Sequence, residues 1–122
     1  MYSAQLLDHF QNPRNVGDLM DADAVAEVEN PVCGDVLRLS VKFQDGRISG
    51  VRFKAKGCVP SIACGSALTE LIVGKTTEQA ALTTRDDISD AVGGLPQAAA
   101  HAAQLALDAL SASLQHTDSK KK

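Results

Sequence analysis

The chain has 122 residues, enough for one domain with a modest core and too few for two. Only 3% of residues are aromatic and tryptophan is absent, so the core must come from Leu, Val, Ile and alanine, which favours close helix packing over large aromatic anchors. The net charge of −3 gives no broad electrostatic reason to bind nucleic acid, whose recognition normally needs a clustered basic footprint, and the one basic run, Lys120, Lys121 and Lys122, reads as a solvated tail. Residues 1–116 are expected to form a single domain, with 117–122 a disordered basic tail.

Met1 leads directly into Tyr2-Ser3-Ala4-Gln5, with no basic n-region and no long apolar stretch. A cytoplasmic protein without membrane or nucleic-acid partners is expected. Three cysteines form an odd set without a secretion signal, which favours reduced thiols with ligand or reactive roles over a disulfide framework.

In chain order, Tyr2, Leu6 and Phe10 recur every four residues, with Ser3 near the cap and Asn12-Pro13 as the stop, so a short first helix is predicted to pack as a flap. Ala24, Ala26 and Val28 then alternate with Val25, Glu27 and Glu29 as a first strand. Leu37, Leu39, Val41 and Phe43 make one face of a second strand, and Val51, Phe53 and Ala55 one face of a third. The Asp45-Gly46 turn joins them. Keeping one apolar face requires Val41 opposite Val51, Leu39 opposite Phe53 and Phe43 opposite Ser49, hence a three-residue or bulged turn. The other face carries Arg38, Lys42, Arg52 and Lys54, which Glu27 and Glu29 would partly offset if the first strand lies beside the second.

From Val59 the signals turn helical. Pro60 suits the first turn, Ile62, Ala67, Leu68, Leu71 and Ile72 form an apolar stripe, and Gly74 follows the end. Thr76 with Gln79 and Thr84 with Asp87 read as caps of two short helices. Gly93-Gly94 breaks the chain, and Pro96 opens a last helix to about Leu114.

The chemistry concentrates in Asn30-Pro31-Val32-Cys33-Gly34-Asp35, in Lys56-Gly57-Cys58-Val59-Pro60, and in Leu95-Pro96 followed by His101. Cys33, Asp35, Cys58 and His101 together offer thiolate, carboxylate and imidazole, a set that suits zinc or iron–sulfur chemistry. Cys58 falls at a helix N-terminus, where free amides and the helix dipole are expected to lower its pKa. Gly34 lets Asp35 turn back toward the same point, where a weakly held carboxylate would ease release of bound metal. The blander readings stand beside this one: a surface histidine, Cys33 as a small buried apolar residue, and Asp35 as the cap of its own turn. Cys64 lies about 120° around and roughly 9 Å along the helix from Cys58, and reads as a packed core thiol. His9 and His116 read as surface residues.

These segments, with Tyr2-Ser3, Leu7-Asp8-His9-Phe10, Asn12-Pro13-Arg14-Asn15-Val16-Gly17, Phe53-Lys54-Ala55-Lys56-Gly57-Cys58 and Gly74-Lys75-Thr76, resemble iron–sulfur cluster assembly scaffolds of the NifU N-terminal and IscU type over almost the whole chain. The resemblance implies an α+β fold with a three-stranded antiparallel sheet packed with helices, and a non-enzymatic scaffold. It implies a [2Fe-2S] cluster or Zn2+ held at Cys33, Asp35, Cys58 and His101. The implied partners are a cysteine desulfurase, iron–sulfur acceptor proteins and an Hsp70-type chaperone system. Three places depart from the family pattern, one of them the Cys58 helix, where Val59-Pro60 follows the cysteine and Cys64 stands in place of a serine. The third cysteine, directly after the histidine, is Ala102, and the Leu-Pro-Pro-Val-Lys chaperone segment is Leu95-Pro96-Gln97-Ala98-Ala99. Three functions therefore stay open: a cluster scaffold or carrier, a zinc-bound sulfur-transfer partner of a desulfurase, and a metal-free regulator of that machinery.

Overall fold

A computed structural model of the chain describes residues 2–31 and 34–121. The three alternating segments form β1 (Ala24–Glu29), β2 (Val36–Gln44) and β3 (Arg47–Lys56), an antiparallel sheet in the order β1-β2-β3. Val28 lies opposite Leu37, Ala26 opposite Leu39 and Ala24 opposite Val41, so the apolar residues share one face.

The β2–β3 hairpin meets the parity problem differently from expectation. Val41 does pair with Val51 and Leu39 with Phe53, but Phe43 faces Ile48 rather than Ser49. The turn keeps two residues, Asp45 and Gly46, with φ of 56° and 77°. Those left-handed angles match the twist of the strands, as in a type I′ turn. The extra residue is absorbed in the strand instead, by a register shift between Lys42 and Phe43 that returns Ile48 to the buried face.

The basic face of the sheet is neutralised chiefly from elsewhere in sequence. Glu27 does stand opposite Arg38. Asp18, however, bridges Arg38 and Lys54 at 3.1 Å each, and Asp21 pairs with Lys42 at 2.9 Å. The connection before β1 thus lies across that face. It also guards the sheet edge, because Phe53 N–H donates to Asn15 O and Gly17 N–H donates to Phe53 O, both at 2.8 Å.

Helices cover the other face. They are α1 (Ala4–Gln11), α2 (Val59–Ile72), α3 (Thr77–Ala81), α4 (Arg85–Ala91) and α5 (Ala100–Lys121), with one 3-10 turn at Gln97–Ala99. Both threonine caps form full capping boxes. The helix expected to end near Leu114 continues to Lys121, so its backbone takes in residues 117–121. Leu68 and Ile72 from α2, and Ala106, Ala109 and Leu110 from α5, close the main core over Leu37, Leu39, Val41 and Phe53.

α1 is pinned onto α2, not laid loosely over it. Leu6 is buried with Ala63, Ala67 and Val92. His9, expected at the surface, is only 7% exposed, and its Nδ1 lies 2.7 Å from Ser66 Oγ. The side chain of His116 is outside the described residues. Ser66 Oγ already accepts Arg14 N–H, so its own proton is available to His9 Nδ1, which assigns the ring proton to Nε2 facing Glu70. Burial, reinforced by Arg14 and opposed by Glu70 and Asp8, lowers the His9 pKa below its usual 6.5. The folded state therefore binds fewer protons here than the unfolded chain. Its contribution is present above the unfolded pKa and is lost as pH falls through the lower folded value. We expect Tm to drop between pH 7 and pH 5.5, and His9→Gln to flatten that drop in thermal melts. An equally steep slope in the variant would contradict the assignment.

Candidate metal centre

Two glycine-dependent turns and two helix starts build the site. Gly34, at φ 76°, donates to Asn30 O, while Asn30 N–H donates to Asp35 O at 2.8 Å, so the loop folds back and delivers Asp35 to the start of β2. Gly57, at φ 132°, ends β3 against the Asp35 side chain, and a Cβ there would sit 2.1 Å from Asp35 Oδ1. Only a glycine admits this approach. Cys58 is the N-cap of α2, and His101 is the second residue of α5.

Three of the four expected ligands converge. Cys58 Sγ lies 3.1 Å from Asp35 Oδ2 and 3.8 Å from His101 Nε2, and Asp35 Oδ2 lies 3.7 Å from His101 Nε2. With bonds of about 2.0–2.3 Å, ligand atoms around a tetrahedral zinc ion stand roughly 3.3–3.8 Å apart. Two edges of the triangle already have that length, and the S–O edge needs to open by only a few tenths of an ångström. Cys33, the fourth expected ligand, lies outside the described residues.

The buried Asp35 carboxyl is 3% exposed. Burial works to raise its pKa, but hydrogen bonds from the Cys58 thiol, Ser61 and the Cys58 amide, with the nearby His101, outweigh it and hold the group below the usual carboxylate range. The Cys58 thiol moves the opposite way from expectation. Burial raises its pKa, Asp35 adds to the rise, and hydrogen bonds from Ser61 do not compensate. The sequence suggested a lowered value because it shows the helix start but not the carboxylate, which also takes the Cys58 N–H at 3.2 Å. A cation held there would reverse that balance by favouring the thiolate, with loss of a proton.

Cys64 is a fully buried core thiol, its pKa pushed up to about 12 mainly by burial. Ala102 is likewise fully buried and contributes a methyl group to the main core. The site opens into a cleft of about 460 Å³ lined by Tyr2, Pro60, Pro96 and Ala98 beside Cys58 and His101. Ser61 was missed as part of the site. It belongs to the first turn of α2, three residues after Cys58, and its Oγ donates to Asp35 Oδ2 at 2.7 Å. The signal available in sequence was a serine in the first, otherwise apolar turn of that helix.

Comparisons with known proteins agree with this fold. The family model described as "NifU-like N terminal domain" matches residues 1–122. The iron-sulfur cluster assembly scaffold protein IscU 1 of Archaeoglobus fulgidus is 50% identical over 110 residues, covering 90% of this chain and 72% of that protein. The scaffold protein IscU of Escherichia coli is 38% identical over 124 residues, covering 98% and 96%. Among solved structures, a nitrogen-fixing NifU-like protein (N-terminal) from Brucella abortus superposes with a TM-score of 0.78 at 21% identity, covering 97% of this chain and 94% of that one, a likeness of fold. The expected α+β architecture is thus borne out.

Proposed function

The chain belongs to the NifU-like N-terminal domain family, and on that premise we propose that it is a non-enzymatic scaffold on which an iron–sulfur cluster is assembled and from which it is passed to acceptor proteins. The observation that carries this reading is the convergence of Asp35, Cys58 and His101, whose ligand atoms lie within 4.8 Å of one another. In the proposal, Cys33 and Cys58 supply thiolates and His101 a neutral imidazole. Asp35 is the hard, weakly held member of the set, so the [2Fe-2S] cargo can leave. Sulfur comes from a cysteine desulfurase. Pro96 and Ala98 line the same cleft as Cys58 and His101, so an acceptor or Hsp70-type chaperone docking on the Leu95–Ala99 segment would cover the cargo. Among the described residues no helix is long and apolar enough to cross a membrane.

A second reading, a zinc-bound sulfur-transfer partner of the desulfurase, is favoured by two observations. Two of the three ligand spacings already suit one tetrahedral ion, and Ala102 stands where the family pattern has a third thiol.

Purification and reconstitution without oxygen, followed by iron, zinc and acid-labile sulfide analysis, test both. Near-equal iron and sulfide, lost in Cys58→Ala, is the expected result. Stoichiometric zinc without sulfide, with added protein speeding desulfurase turnover, would replace the first reading by the second. Metal-free protein that still binds the desulfurase would defeat both.

A further inference from the structure

Ser61 is fully buried in the first turn of α2, a helix whose other inward residues are almost all apolar. A buried hydroxyl is costly unless it is paired. The two other buried polar residues of α2 have partners that tie the fold together, with Ser66 held between His9 and Arg14 and Thr69 bonded to Asn15. The side-chain partners of Ser61 are different in kind. They are two of the metal-site ligands, Asp35 Oδ2 at 2.7 Å and Cys58 Sγ at 3.2 Å.

We propose that Ser61 is a positioning residue of the metal centre, holding the Asp35 carboxylate in its ligating orientation while the Cys58 sulfur exchanges its proton for a cation. The proposal rests on the reading of Asp35, Cys58 and His101 as metal ligands. Asp35 is gripped at both oxygens, with Cys58 N–H on Oδ1 and the Ser61 hydroxyl on Oδ2. The Cys58 S–H also donates to Oδ2, but that bond disappears when the sulfur becomes a metal-bound thiolate. Ser61 then provides the remaining side-chain hydrogen bond to the oxygen nearest His101. That oxygen keeps a second lone pair for the ion. Ser61 is itself fixed, because its N–H makes the first helical bond of α2, to Cys58 O at 3.1 Å. The same turn of backbone therefore sets the thiolate, the hydroxyl and, through the hydroxyl, the carboxylate.

Cobalt(II) titration of the full chain, freed of metal and read by the sulfur-to-cobalt and d–d absorption bands, tests the assignment. Ser61→Ala should weaken binding by about 10–100-fold, the usual consequence of removing an outer hydrogen bond from a ligand, and should shift the d–d bands. Ser61→Thr, which keeps the hydroxyl, should recover most of the loss. In an Asp35→Ala background the further change Ser61→Ala should have almost no effect, since the residue acts through that carboxylate. Wild-type affinity in Ser61→Ala, or an equal loss with and without Asp35, would overturn the proposal. The second result would place the action of Ser61 on Cys58 Sγ or on the helix start instead of on the carboxylate. Melting of the metal-free variants checks folding, and Ser61→Gly, which also removes the hydroxyl and adds no ligand atom, takes the place of the alanine variant should that one not fold. Failure of the wild-type chain to bind cobalt would overturn the metal reading itself and this inference with it.

Discussion

Gly57→Ala is expected to abolish metal retention, raising the dissociation constant for zinc by at least about 100-fold, roughly 3 kcal/mol. Two independent penalties act at this position. The φ of 132° is a region that L-residues rarely enter, at a cost of order 1–3 kcal/mol. The added Cβ would also lie 2.1 Å from Asp35 Oδ1 and 2.6 Å from its Cγ. Asp35 has nowhere to retreat, being buried and bonded to Cys58 N–H and Ser61. Either the carboxylate leaves the site or the 57–58 backbone turns and takes Cys58 with it. Both outcomes break the ligand triangle. Asp35→Ala removes one ligand but leaves Cys58 and His101 in place, so its loss should be the smaller of the two. Competition titration with a chromogenic chelator measures both. A Gly57→Ala affinity within tenfold of wild type, or above that of Asp35→Ala, would show that the close approach of Gly57 to Asp35 does not shape the site.

Strands, caps and helix starts are local: alternation along β2, Thr76 with Gln79 and Pro60 after Cys58 are all visible within a few residues. Placement of the ligand types at loop and helix starts was legible for the same reason. The pKa direction of Cys58 was not, because it is decided by burial and by a carboxylate 23 positions away. His9 was misread as a surface residue for the same kind of reason. Its partner Ser66 is 57 positions distant, and a single histidine in a short helix carries no trace of that contact. The neutralisation of Arg38 and Lys54 by Asp18 required a loop whose course over the sheet no periodicity records. The hairpin was half legible. Pleat parity demanded one extra residue, but only the strong preference of Asp-Gly for a two-residue turn places it in the strand.

The largest stability effects should come from the contact that seats α2 on the sheet. Phe53 is one of three phenylalanines in a core poor in aromatics, and it is buried at the centre of β3. Phe53→Ala should cost about 3–5 kcal/mol, a large share of the roughly 5–15 kcal/mol available to a domain of ordinary stability. Gly65 of α2 lies against the same ring, and a Cβ there would come within 2.7 Å of Phe53 Cδ2 and 2.8 Å of Cε2. In the wild-type background Gly65→Ala therefore sets an overpacking cost of about 1–3 kcal/mol against the roughly 1 kcal/mol that alanine gains over glycine in a helix. The net effect should be destabilising. In a Phe53→Ala background the ring is gone, the helix preference remains and the new methyl fills part of the cavity. There the same substitution should stabilise. Denaturant unfolding of the four proteins measures the reversal, and destabilisation of equal size in both backgrounds would mean that Gly65 is required by something other than the Phe53 ring. The reversal follows because the smallest residue of α2 and the largest fully buried side chain of the sheet share one volume, and that pairing sets how closely the helix carrying Cys58 and Ser61 lies over the strands that deliver Asp35.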